Sequence, residues 1–429
     1  MGELFSRFSG SRYRGYYIAL LALAVALVFA LLLYPRIASS YNAVLDTDHY
    51  GAMGYGVWKN ATLSYYPDPR PSVNRGPVYP VFIAGMLAAT NGWWPQSVQV
   101  AQCFLFALTS LLVFRIAETL WNRRVAVTSA FVCALHPFLI WYTSRIWIET
   151  LATCLFTTLV AAVLFYYKKP AFSRALVLAL VLALCALCKG TFLPFLVIVP
   201  FLLAIVRERA IPKRGAFCVF VIAFLLLVPW SLRNLLLTHR FVPVHSLAGF
   251  NFQIGDSFID DYRRAPWSYA ALWRRAYGKV RAEIRAMDLA DLPLAEQEAT
   301  SDSLLLRKSL ERYLDHPAFL LRKMVYNTLL YWSLGETRLK SLVISIMQVP
   351  LLLLFVASAI KVFRLQGIRS IHAIPIFMVG CYFGLHLPIF AFARLSVVLV
   401  PVMVIYASAV VISGKDHENL PKVIAFDDF

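Results

Sequence analysis

The chain has 429 residues, of which 60% are hydrophobic and only 15% charged, and its mean hydropathy is +0.67. A soluble globular domain carries about 25% charged residues, so the composition excludes that class and indicates an integral membrane protein. The net charge of +18 comes without any long basic run interleaved with exposed aromatics, which excludes nucleic acid as a partner; Lys and Arg gathered in the loops of a membrane protein account for it.

In chain order, a basic N-terminus (Arg7, Arg12, Arg14) precedes an apolar run at 16–34. That run is too long for a signal-peptide core and lacks a small-x-small cleavage site, so it reads as a retained first span. Further spans are expected at 97–119, 125–142, 147–167, 173–188, 191–206, 215–232, 341–362, 372–390 and 395–413. Lys189, Gly190 and Pro194 should break the apolar stretch 173–206 near one surface. With ten spans and a cytoplasmic N-terminus, "RFSGSRYR", "WNRR", "KKPAFSR", "RERAIPKR" and "KVFRLQGIR" all fall on the cytoplasmic side, together with the tail from residue 414. The expected fold class is thus an all-α polytopic membrane protein with interfacial helices. Its parts are the N-terminus and first span (1–34), a first extracytoplasmic loop (35–96), spans two to seven (97–232), a large helical extracytoplasmic loop (233–340), the last three spans (341–413) and a cytoplasmic tail (414–429).

The first loop holds "VYPVFIAGMLAAT", too short to span and suited to an interfacial helix. The second mixes 16 basic and 12 acidic residues, as a solvated surface does, and reads as two helices followed by an amphipathic helix over 317–334 that lies on the membrane. All seven cysteines fall in apolar stretches, so no disulfide framework is expected, and the pair Cys185 and Cys188 reads as small residues packing between helices.

The candidate chemistry gathers at the outward ends of the spans. Asp46 and Asp48, in "LDTDHYGAMGYGVWKN", point to one side if the backbone is extended. Paired carboxylates suit Mg²⁺ or Mn²⁺, with His49 as a third ligand. Arg75 beside Pro77, at the head of the short apolar helix, pairs an arginine with a helix N-terminus and so suits a phosphate; an arginine reaching for lipid headgroups is the alternative. Glu149 heads the fourth span, where an ionisable group is a functional candidate. Lys189 and Arg394 stand at outward span ends against the usual charge bias, and each calls for an anionic partner. A transporter or flippase for an amphiphile would use the same charges as a binding site, and a non-catalytic scaffold would leave them without a role.

The order of motifs resembles the superfamily C membrane glycosyltransferases, in the branch of the protein O-mannosyltransferases and the aminoarabinose transferase of lipid A. The resemblance rests on Asp46 four residues before Tyr50, on "RGPVYPVFIA", on "VPWSLRNLLLTHRFVPVHSLAGFNFQIGD" and on "ARLSVVLVPVMVI". Thr47 stands where the family often has a second acid, Gly76 replaces a proline, and Leu395 replaces a tyrosine. The resemblance implies inverting transfer of one sugar from a polyprenyl-phosphate donor, at the outer membrane face, to a lipid-linked glycan, lipopolysaccharide or protein. It casts Asp46 as general base, Arg75 as the cation for the donor phosphate, Glu149 as a cavity acid and Arg394 as the arginine of the late element, and it leaves Asp48 a secondary part beside Asp46. Tyr50, Tyr79 and Lys189 complete the expected set for donor phosphate and cavity, with Asp46, Asp48 and Glu149 as the catalytic acids. No cofactor beyond an optional divalent metal is implied.

Overall fold

The computed structural model describes residues 13–37, 46, 48–206 and 213–413, all helical or irregular with no strand among them. Most of the basic N-terminus, most of "RERAIPKR" and the tail from Gly414 lie outside the described residues. The helices are α1 (Arg14–Val28, continued through a π turn to Ile37), α2 (Tyr50–Asn60), α3 (Val78–Ala89), α4 (Gln96–Leu120), α5 (Arg123–Ala134) and α6 (Pro137–Thr143). They continue with α7 (Glu149–Lys168), α8 (Phe172–Cys188), α9 (Phe195–Ile205), α10 (Lys213–Thr238), α11 (Ala248–Asp261), α12 (Tyr269–Arg285), α13 (Leu294–Asp315), α14 (Pro317–Ser333), α15 (Arg338–Gln366), α16 (Ala373–His386) and α17 (Val400–Ser413).

Among the described residues six helices are long and apolar enough to cross a bilayer, and the bent pair α5–α6 makes a seventh. Ten expected spans thus all become helical, but α8, α9 and α16 have only 17, 11 and 14 residues, short of the ~20 that a full crossing needs. Apolar runs say where helices are buried; they do not say whether each one runs the full depth. The chain is a multi-pass membrane protein.

Burial separates the spans into two kinds. The apolar windows of α7 and of Ala393–Ile412 are 78% buried within the protein, whereas that of α1 is 17% buried. The first two are therefore central, and α1 turns most of its surface to lipid. The break at Lys189 falls as the local sequence requires: Lys189 is extended, Gly190–Phe192 form a single 3₁₀ turn, and Pro194 starts the next helix. Helices α11–α14 pack together as a polar unit beside the spans. Its core includes an ion pair between Lys323 of α14 and Asp256 of α11 at 2.7 Å, with both side chains inaccessible to solvent. Tyr313 and Ser309 of α13 donate to the same carboxylate at 2.6 and 3.0 Å. The expected helices of the second loop appear as α12, α13 and α14, joined by α11, whose Gly- and Asn-containing sequence carries no strong helical period.

Candidate active site

The stretch before α2 is not extended: Asp46 and Asp48 lie in tight turns, and His49 takes a left-handed backbone (φ 60°) that starts the helix at Tyr50. The two carboxylates consequently have different surroundings. The Gly51 amide donates to Asp46 Oδ2 at 2.7 Å, so Asp46 satisfies one of the free amides at the head of α2. A side chain at position 51 would lie 2.5 Å from Asp46 Oδ2 and from the Trp94 ring, so only glycine permits this approach. Asp46 Oδ1 is buried with no hydrogen-bond partner. Burial, with Asp48 adding repulsion, pushes the Asp46 carboxyl up to about 7 despite the Gly51 amide.

Asp48 has the opposite environment. Its Oδ2 accepts from Arg394 Nη2, and Arg75 Nη2 donates to its backbone carbonyl at 3.3 Å. Burial works against the charged form, but the Arg394 guanidinium, with Arg75 and His49 adding to it, holds the Asp48 carboxyl below its ordinary value. Arg394 enters from the 3₁₀ segment Ala393–Leu399 and also pairs with Glu149 at 2.8 Å, joining two acids from distant parts of the chain. Its guanidinium lies 3.8 Å over the Trp147 ring, and Arg145 lies 4.2 Å over the same ring while pairing with Glu336 at 3.2 Å.

Lys189 faces Glu149, Arg394 and Asp48, and its Nζ is buried without a hydrogen-bond partner. Gly76 brings the Arg75 segment against the end of α8, where an added Cβ would lie 2.2 Å from the Leu187 carbonyl oxygen. That contact explains why glycine stands in place of the proline of the resembled motif. Arg75 lies 5.3 Å over the Tyr50 ring, and Tyr50 in turn packs edge-on to Tyr79 at 5.0 Å. Tyr79 is fully buried and its hydroxyl donates to Gln102 at 2.8 Å, so it is part of the wall and is not open to the cavity.

The structure thus brings Asp46, Asp48, Tyr50, Arg75, Glu149, Lys189 and Arg394 to one place, with Tyr79 behind them. His49 is exposed on the rim, where it adds to the field on Asp48. Among the described residues no group of three His, Cys, Asp or Glu side chains is placed to hold a metal. The proposed set of Asp46, Asp48 and His49 does not fit one, because Asp48 is already taken by Arg394 and Asp46 Oδ2 by the Gly51 amide.

Sequence reasoning passed over Glu298 of α13. Its carboxylate accepts from Ser72 Oγ at 2.9 Å, the Val73 amide at 2.7 Å and Asn74 Nδ2 at 2.7 Å, clamping the segment that carries Arg75. Burial raises this carboxyl to about 6. Beside Glu296 in an amphipathic helix it reads as solvent-facing, and no local signal marks it. His245 was also missed; its Nε2 accepts from the Gly190 amide at 3.3 Å, and burial, with Arg75 and Lys189 nearby, lowers it to about 4.

Residues 74–232 match the family described as dolichyl-phosphate-mannose-protein mannosyltransferase. No curated protein matches the chain. The oligosaccharyltransferase AglB from Archaeoglobus fulgidus, solved with an inhibitory peptide and a dolichol-phosphate, aligns at TM-score 0.56 and 11% identity over 94% of this chain and 51% of its own. The same archaeal enzyme tethered to an acceptor peptide with an NVT sequon gives 0.57 and 13% over 96% and 50%. The chain therefore spans about half the length of these structures. ArnT from Cupriavidus metallidurans in the apo state aligns at only 0.37 and 15%, over 95% of this chain and 80% of its own, so the fold likeness rests on the archaeal enzyme. Taken together, the matched segment and the shared fold bear out the resemblance to the superfamily C polytopic membrane glycosyltransferases.

Proposed function

We propose that this protein is an inverting glycosyltransferase that moves one sugar from a polyprenyl-phosphate donor to an acceptor hydroxyl at the extracytoplasmic membrane face. The observation that carries this reading is the presence in one cluster of a carboxylate without a cation, Asp46, and of two buried cations with spare donors, Arg75 and Lys189. Both termini would be cytoplasmic, with the catalytic acids in the loop 35–96.

Asp46 Oδ1 takes the proton of the acceptor hydroxyl as that oxygen attacks the anomeric carbon from the face opposite the phosphate. The bond between the anomeric carbon and the phosphate oxygen breaks, and the electron pair leaves with the polyprenyl phosphate. Arg75 and Lys189 meet the charge that develops on it, and being fixed and desolvated they need little reorganisation to do so. Arg394 is occupied by Asp48 and Glu149, so its part is to hold the two acids and shape the pocket. No step is routed through a metal, since the donor set does not fit one.

The test is incubation of the purified protein in detergent with a panel of polyprenyl-phosphate sugars, following consumption of each with and without candidate acceptors. Consumption of at least one donor by the wild type and none by Asp46→Asn supports the reading. Undiminished turnover by that variant would remove Asp46 as the base.

A further inference from the structure

His245 is a buried titratable group beside Arg75 and Lys189 that the proposed chemistry does not use. The chain fixes the backbone on both sides of it. The Val244 carbonyl accepts from Trp230 Nε1 at 2.8 Å and from Asn234 Nδ2 at 3.1 Å, both in the last turns of α10. The Ser246 amide donates to the Val73 carbonyl at 2.8 Å, and the Ser246 hydroxyl to the Glu298 carbonyl at 2.9 Å. His245 is thereby tied to the end of α10, to the segment that carries Arg75, and to α13. Functional side chains on loops are positioned by a rigid scaffold in this way.

The hydrogen bond of the ring assigns its proton. Nε2 accepts from the Gly190 amide at 3.3 Å, so it carries no hydrogen, and the neutral ring holds its proton on Nδ1. A Cβ at position 190 would lie 2.6 Å from Nε2, so glycine permits this approach. The field agrees: burial, with Arg75 and Lys189 facing the ring, lowers His245 to about 4 and keeps it uncharged at neutral pH. Nδ1 is buried with no hydrogen-bond partner, and Arg75 Nε and Lys189 Nζ are in the same condition. Two cationic donors thus flank a neutral one, and none of these three atoms is engaged. A buried donor left open is costly, and a ligand with several acceptor oxygens removes that cost.

We propose that His245 Nδ1–H is a third donor to the phosphate of the sugar donor, beside Arg75 and Lys189, and that it acts on the leaving group as a neutral hydrogen-bond donor. The proposal rests on the glycosyl-transfer reading above and adds a catalytic residue to it. The reason for an imidazole is charge. A third buried cation beside Arg75 and Lys189 would add repulsion and a further desolvation cost, whereas a neutral N–H adds a hydrogen bond that strengthens as negative charge grows on the departing oxygens. No proton is transferred: Nδ1 keeps its hydrogen, and the phosphate leaves with the electron pair of the broken bond. The competing role is a prop, in which the ring only supports Gly190 and the Lys189 turn. The two roles use different ring nitrogens, and amide side chains separate them.

The experiment measures binding apart from turnover. Methyl farnesyl phosphate, a phosphodiester with one charge at every pH used, and farnesol, its uncharged control, are titrated against the full-length protein in detergent. The readout is the preference for the phosphodiester over farnesol, which a loss of folded protein does not change. His245→Gln puts an amide oxygen near the Nε2 position, where it still accepts from Gly190, and leaves no donor at the Nδ1 position. His245→Asn is the converse: its amide nitrogen falls near Nδ1, and its side chain stops short of Gly190. The Gln variant should lose about tenfold or more of the preference, and the Asn variant should stay within about threefold of the wild type. The ratio of wild-type to Gln-variant preference should be the same at pH 8 and pH 6, because the donor is neutral at both. Wild-type preference in the Gln variant, with loss in the Asn variant, assigns the prop and overturns the proposal. A ratio that grows several-fold from pH 8 to pH 6 requires an imidazolium and overturns the neutral donor. Arg75→Gln is the reference: if it lowers the preference and His245→Gln does not, the phosphate site stands without His245. A wild type with no preference for the phosphodiester overturns the donor reading and this proposal together.

Discussion

In the cluster of Lys323, Asp256, Tyr313 and Ser309 every polar atom has a partner, while around Asp48 and Arg394 several have none. Lys323 Nζ reaches the Phe252 carbonyl at 3.1 Å, Asp256 at 2.7 Å and the Tyr313 hydroxyl at 2.8 Å, which uses all three of its donors. In the other cluster Asp46 Oδ1, Glu149 Oε2, Arg75 Nε and Lys189 Nζ are buried and unpartnered. A buried polar group without a partner is costly, and native proteins keep few of them. The satisfied cluster is a strut that joins α11, α13 and α14. The unsatisfied one has valences left over for a ligand to fill. The same residue types serve stability in one place and chemistry in the other, and the count of open partners separates them.

The sharpest way to break this comparison is Asp46→Asn. Transfer should fall about 10²- to 10⁴-fold, the usual contribution of a positioned general base, in the donor-consumption assay. The fold should not suffer. A carboxyl held above its ordinary value favours the folded state at low pH and loses that contribution as pH rises from 3.8 through about 7. At neutral pH the amide variant should therefore melt at or above the wild-type temperature. Lys323→Ala is the converse: it strands Asp256 and should cost about 3–5 kcal/mol of stability, read by chemical or thermal unfolding, while the activity per folded molecule stays near normal. Loss of catalysis without loss of stability in that variant would erase the distinction.

Smaller effects sharpen it. Glu298→Ala should cost about 1–3 kcal/mol by leaving Ser72, Val73 and Asn74 unpartnered, and should raise the KM for donor more than it lowers kcat, because Arg75 loses its anchor. The pH profile of transfer should fall on the acid side with a midpoint near the Asp46 value of about 7, and Asp46→Asn should abolish that limb of any residual activity. Tyr79→Phe should cost about 1 kcal/mol in stability through the lost bond to Gln102 and leave donor preference unchanged.

The helices were legible in the sequence because apolar runs of membrane length carry a strong signal, and the break at Lys189 and Gly190 was legible because glycine and proline punctuate it. Membrane depth was not, since a run such as 372–390 reads as a span although the helix there has 14 residues. Within the site, Asp46, Arg75, Glu149, Lys189 and Arg394 stood out as ionisable groups at the ends of apolar segments. The extended geometry expected for Asp46 and Asp48 did not hold, because Gly51 lets α2 begin early and draws Asp46 onto its first amides. Separation of the two acids by partner, and the clamp from Glu298, depend on contacts 346 and 226 positions apart, which no local pattern encodes.

The bridge that Arg394 makes between Asp48 and Glu149 has a consequence for biosynthesis. As the chain emerges and inserts in order, both acids enter their helical surroundings long before the arginine that neutralises them has been made. Until then each must remain hydrated or protonated, so the central helices cannot close fully around them. The segment that carries Arg394 is thus the one that locks the pocket, and a product truncated before residue 394 would carry both acids without the arginine that joins them. Such a chain is marked as unfinished by its own electrostatics, which gives membrane quality control a physical feature to act on.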